Sequence, residues 1–272
     1  MRSAAVGVAL LAPPASAQPQ RVVSINVCTD QLALMLAEPG QLVSVSFLGQ
    51  DPVYSPLWAQ ARALPANRGK AEDIVMLRPD LVLAAPFSAT ATVAMLERLS
   101  IPVARIPHQS SLDDVAPALR AVAALLGAEA RAEAILAAFD ADRALLAAQA
   151  ARVPRERAAT WAARGWTGGT RGLAGDIMDT AGLDNIAGEL GLEWGGVLAL
   201  ESLILSEPDL LILGRPTGGG HSQAQALLAH PALAALPAHA RGAVMAESDW
   251  VCGTPHVLGA VAALIRAREV AP

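Results

Sequence analysis

Two glutamates, Glu72 and Glu201, occupy one position of an internal repeat. Glu72 stands seven residues before Pro79-Asp80, and Glu201 seven before Pro208-Asp209. The copies lie 129 residues apart, close to half of the 272-residue chain. An exposed carboxylate can accept a bidentate arginine, so a matched pair suits a partner with two equivalent cations. A carboxylate in the first turn of a helix also gains a few tenths to about 1 kcal/mol from the helix dipole. That accounts for either glutamate singly and leaves their equal placement unexplained. Pro79-Asp80 and Pro208-Asp209 read as structural: proline ends a helix, aspartate fills the turn, and a strand follows.

The second set of candidates is aromatic. The chain has five Trp, three Phe and one Tyr. Trp166, Trp194 and Trp250 fall in or beside predicted loops of the second half, and Phe47, Tyr54 and Phe87 follow predicted strands of the first. Strand-end loops of α/β sheets line the binding crevice, so these rings predict a cleft for a flat or bulky ligand. The competing reading is that each Trp packs inside its own half. Arg215, just past a predicted strand, can meet an anionic group there; Arg164 and Arg171 are weaker candidates of the same kind. Cys28 and Cys252 follow the first predicted strand and precede the last helix. A bridge between them, possible in an oxidising compartment, would tie the two halves together.

Covalent chemistry is poorly supported. The five histidines, His108 among them, lack the short spacing of a zinc site, and no metal site or catalytic cofactor is expected. The run Gly214–Ser222 has no lysine where a phosphate loop requires one. No Gly-x-Ser-x-Gly elbow is present. An enzyme with its active site between the two halves stays as the rival of another class.

The elements that position these residues alternate. Strands are expected near 21–25, 42–47, 81–84, 103–106, 158–163, 210–213 and 243–246, with helices between them. Thr29 and Asp30 are expected to cap the first helix, and residues 50–67 to form a loop or irregular helix. A helix is expected over 226–235, and Thr254 should cap the last helix with Pro255 at its first position. Helices alternating with short aliphatic strands predict parallel α/β units. Residues 128–153 differ, being long, Ala-rich and apolar at helical spacing (Ile135, Leu136, Phe139, Leu145, Leu146). They lie at the middle of the repeat and read as a connecting helix.

Composition sets the class. The chain is 53% hydrophobic and 17% charged, with net charge −5 and a single lysine, Lys70. No basic patch invites nucleic acid. Arg2, the apolar stretch Ala4–Ala12 and Ala15-Ser16-Ala17 read as a signal peptide, cleaved near Ala17. No uncharged apolar run reaches the roughly 18 residues that a membrane span needs.

Over nearly all of the mature chain, the sequence resembles the periplasmic substrate-binding proteins of ABC importers for ferric siderophores and vitamin B12. The resemblance rests on Arg21-Val-Val-Ser-Ile, the two Glu…Pro-Asp-Leu units, the central helix and Gly253-Thr-Pro-His-Val. It implies an α/β fold of two Rossmann-like lobes with parallel sheets, joined by one long interdomain helix. The expected segments are a signal peptide 1–17, lobes 18–127 and 154–272, and a connector 128–153. It further implies that a metal chelate is held between the lobes, and that Glu72 and Glu201 dock onto arginines of a dimeric inner-membrane permease. The expected protein is a periplasmic monomer without catalytic activity. Ligand identity does not carry over: a siderophore, a corrinoid, haem and a free metal ion all stay open. Tyr54, as the only tyrosine, makes a tyrosine-ligated haem site unattractive.

Overall fold

The computed structural model describes residues 18–214, 230–240 and 242–269. Arg215, the signal segment and the first four residues of the helix expected over 226–235 lie outside these residues; within them that helix is the short Pro231–Ala234. Two parallel sheets organise the chain. The first has the order β3-β2-β1-β4-β5: Ala66–Asn67, Leu42–Ser46, Val22–Ser24, Leu81–Ala84 and Val103–Arg105. The second has the order β11-β10-β6-β8: Ala243–Met245, Leu210–Gly214, Glu156–Trp161 and Leu183–Asn185. Every pairing within both sheets is parallel. Parallel neighbours need crossovers, here mostly helical. β7 (Trp166–Thr167) and β9 (Gly196–Val197) form a small antiparallel ribbon.

The central strands are aliphatic because parallel sheets are covered on both faces. All four residues of β4 are buried. Helices α1 (Val27–Leu36) and α5 (Val115–Leu126) supply much of the core on one side of the first sheet. Helices α3 (Ala71–Met76) and α4 (Thr90–Arg98) pack a smaller cluster, centred on Val23, Ile74, Val82 and Leu96. Between α1 and α3 runs the short α2 (Trp58–Ala61).

Helix α6 (Glu129–Ala150) joins the lobes, and its 22 residues span roughly 33 Å. Its first half contributes Ala132 and Leu136 to the first core, and its second half contributes Phe139 and Ala150 to the second. Arginines pin both ends. Arg131 donates to the carbonyls of Leu36 and Ala37 at the end of α1. Arg268, from the last described helix Leu258–Glu269, donates to the carbonyls of Ala150, Val153 and Pro154. The link therefore resists bending better than a Gly/Ser hinge of equal length.

The repeat has a structural counterpart in backbone clamps. Arg21 donates to the carbonyls of Leu77 (2.7 Å) and Arg78 (3.2 Å), where α3 ends. Arg157 donates to Ser206 (2.8 Å) and Glu207 (3.3 Å), where α8 (Leu200–Leu205) ends. Asp80 accepts from the backbone N–H of Gln20 and Arg21, and Asp209 from that of Arg157. Arg78 (φ 48°) and Glu207 (φ 43°) are left-handed at the same repeat position. That backbone costs about 1–2 kcal/mol per residue, and the arginine and aspartate contacts offset it. The two aspartates thus anchor the first strand of each sheet as well as filling a turn.

Several local expectations need correction. Asn26, not Thr29 or Asp30, caps α1 by accepting from the Cys28 N–H at 2.9 Å; Thr29 and Asp30 are buried. Residues 50–67 contain α2 and β3, and β8 is a strand that the sequence pattern did not indicate. Thr254 occupies the N-cap position, but its hydroxyl accepts from no N–H of its helix and donates to Gln31 Oε1 at 2.9 Å.

Candidate ligand cleft and docking surface

Parallel strands send their carboxyl ends to one edge, where ligands bind in open α/β sheets. In the first lobe that edge carries Phe47 after β2, Arg68 after β3, Phe87 after β4 and His108 after β5. In the second it carries the 162–166 turn after β6 and Trp250 after β11. The two edges meet. Cys28, just past β1, is bonded to Cys252 with a Cα–Cα distance of 5.2 Å. Alongside runs the Thr254–Gln31 hydrogen bond, and Gly253 lies so close to Gln109 that a Cβ there would fall 2.4 Å from the Gln109 Cβ. Glycine at 253 is therefore a packing requirement of this contact.

The second lobe supplies the more enclosed surface. Trp166 and Trp250 line a cavity of about 160 Å³ with Thr160, Trp161, Gly168 and Val251. Buried Trp161 forms part of its wall, fixed by its indole N–H donating to Leu198 O at 3.0 Å. Thr160 accepts from the Gly168 N–H and bonds Thr167, which holds the β7 turn against β6. Trp166 is 52% exposed and free to offer a ring face to a ligand. The structure brings Trp166 and Trp250 together in this cavity. Trp194 lies outside it, 75% exposed, with the Arg171 guanidinium 5.7 Å from its ring. Arg171 is also paired with Glu193 at 2.8 Å.

The first lobe offers a more open edge. Arg68 places its guanidinium 5.0 Å from the Phe47 ring. Phe87 and His108 meet edge to face, with ring centroids 5.8 Å apart. Tyr54 is half-buried, and its backbone carbonyl accepts from Gln31. Among the described residues Arg68 forms no salt bridge, so its charge is available to an anion. Sequence reasoning missed Arg68, because the two-residue strand β3 before it was read as loop or irregular helix.

Asp30 was also missed. It accepts from the Ser46 backbone N–H at 3.0 Å and from the Ser46 hydroxyl. A Cβ on Gly49 would fall 2.5 Å from its Oδ2, so the turn Phe47–Gln50 closes directly over the carboxyl. Burial pushes this carboxyl up to about 7, outweighing the hydrogen bonds from Ser24 and Ser46 that pull it down. Asp30 thus supports the turn that carries Phe47.

Glu72 and Glu201 are exposed in the first turns of α3 and α8, one on each lobe. Neither forms a salt bridge among the described residues. No group of three or more His, Cys, Asp or Glu that could hold a metal ion occurs among the described residues. No helix there is long and apolar enough to cross a membrane.

Comparison with known proteins agrees with this geometry. A cobalamin-binding protein of Halobacterium salinarum is 29% identical over 221 residues, covering 78% of this chain. The chain spans 58% of the length of that curated relative. The periplasmic haem-binding protein of Roseiflexus sp. RS-1 shares the fold at a TM-score of 0.75 and 23% identity, covering 91% of this chain and 98% of its own. The periplasmic vitamin B12-binding protein of Vibrio cholerae gives 0.70 and 18%, covering 92% and 97%. Residues 22–246 match the profile described as periplasmic binding protein, and the chain belongs to that family.

Proposed function

We propose that this chain is the substrate-binding component of an ABC import system. It captures a metal chelate in the cleft and delivers it to a dimeric inner-membrane permease. The observation that carries this reading is the Trp166–Trp250 cavity of one lobe, joined at its edge to the Phe47–Arg68 edge of the other. Aromatic faces give affinity for a flat or bulky chelate, and Arg68 orients an anionic substituent. The family and its solved relatives are binding proteins, which supports a role without covalent chemistry. Family membership supports a periplasmic location, and Arg2, the apolar stretch Ala4–Ala12 and Ala15-Ser16-Ala17 support export with cleavage near Ala17.

The ligand is a corrinoid, a ferric siderophore or haem. The cobalamin-binding relative makes the corrinoid the first to test. Titration of the purified chain with cobalamin, ferric siderophores and haem should quench tryptophan fluorescence for one class. Trp166→Ala should then weaken that ligand at least about tenfold, in line with loss of a stacked aromatic anchor. Silence toward all three classes would overturn chelate capture.

A further inference from the structure

Helices α3 and α8 correspond position by position. Each has six residues, each follows an extended N-cap residue (Lys70 and Ala199), and each buries its fourth residue completely, Ile74 and Leu203. The second residue is the glutamate. The sixth is a large apolar side chain left in water: Met76 is 82% exposed and Leu205 83%. Residues four apart lie on one helix face, one turn from each other. Glu72 with Met76, and Glu201 with Leu205, therefore point away from the core that Ile74 and Leu203 enter.

One exposed apolar residue is ordinary on a protein surface. Two at the same repeat position, each a turn beyond an unpaired carboxylate, are a repeated surface. Neighbouring positions are less alike: Asp73 stands where the second copy has Ser202, and the N-cap Lys70 where it has Ala199. Acidic and apolar character are what the two faces share.

We infer that each lobe presents a two-part contact, a carboxylate followed one turn later by an apolar knob. Its occupant is a two-fold symmetric permease whose identical subunits each supply a cation beside an apolar recess. This rests on the docking role proposed for Glu72 and Glu201 and adds Met76 and Leu205 to it. Charge complementarity favours a cation opposite each glutamate, and a pair of identical subunits explains why both lobes show the same chemistry. The carboxylates guide approach and fix register; the apolar knobs lengthen the lifetime of the complex, where most affinity differences arise.

The test uses inner-membrane vesicles from cells that express the chain natively. A photo-crosslinking amino acid placed at 76 or at 205 should label one and the same integral membrane polypeptide. Labelling of two different polypeptides, of lipid alone, or of a second copy of this chain would overturn the inference. Met76→Ser with Leu205→Ser should weaken vesicle binding about 10- to 100-fold through faster dissociation, with melting temperature and ligand quenching unchanged. Glu72→Arg with Glu201→Arg should slow association and remove its salt dependence. If the serine pair binds like wild type while the arginine pair fails, the apolar contact is disproved and docking through the glutamates stands. If neither pair weakens binding, both ideas fall.

Discussion

In the first lobe Arg21 holds the end of α3 and Asp80 holds the start of β1; in the second, Arg157 holds the end of α8 and Asp209 the start of β6. At the opposite edges of the same sheets the likeness stops. The first lobe shows Phe47 under Arg68 and Phe87 against His108, whereas the second shows Trp166 and Trp250 around a cavity. The scaffold is duplicated and the cleft edges have diverged. Under the proposed function, one ligand would touch two unlike surfaces, while a two-fold partner would meet two like ones. The difference separates the side chains proposed to select cargo from those that serve the frame.

Three experiments press on that comparison. The largest effect should come from the contact that makes the lobes one body. Cys28→Ala with Cys252→Ala removes a cross-link closing 224 residues, worth about 2–4 kcal/mol. Calorimetry should show melting lowered by about 5–10 °C; an unchanged profile would mean that α6 and the contacts beside the bridge hold the lobes without it. Next come the twin clamps. Asp80→Ala and Asp209→Ala should each cost about 0.5–1.5 kcal/mol in urea unfolding, since Asp80 loses bonds to two exposed backbone N–H groups and Asp209 to one. A strongly unequal pair would break the equivalence of the lobes.

The last effect belongs to one lobe only. Asp30 has a folded value near 7, above its ordinary carboxylate value. The native state then holds a proton that the unfolded chain has released between about pH 4 and 7. Stability from this group is therefore full below about pH 4 and declines as pH rises through 7. Asp30→Asn should flatten that slope in denaturation curves taken from pH 5 to 8. An unaltered slope would place the sensitivity elsewhere.

The sequence made the frame readable for local reasons. Leu81–Ala84 and Leu210–Gly214 are aliphatic runs after Pro-Asp, and a helix-ending proline leaves few alternatives. The length of α6 followed from an Ala-rich stretch without Gly or Pro. β8 was not readable, because Leu183-Asp184-Asn185 has no aliphatic run and becomes a strand only by pairing with β6. Asp30 looked like a cap, since aspartate near a helix start usually is one; only the fold brings Ser46 and Gly49 onto it. Trp166 and Trp194 were indistinguishable as loop residues. Their separation depends on the β7–β9 pairing, which puts one ring on the cavity and leaves the other beside Arg171. Arg68 showed nothing, because the two-residue strand β3 that places it carries no pattern of its own.

The bond from Cys28 to Cys252 turns the backbone between them into a ring. A protease that severs one peptide bond inside that ring releases nothing: the circle becomes a line whose pieces stay fastened through sulfur. Under oxidising conditions a chain nicked once still travels as one molecule, and only reduction lets the fragments part.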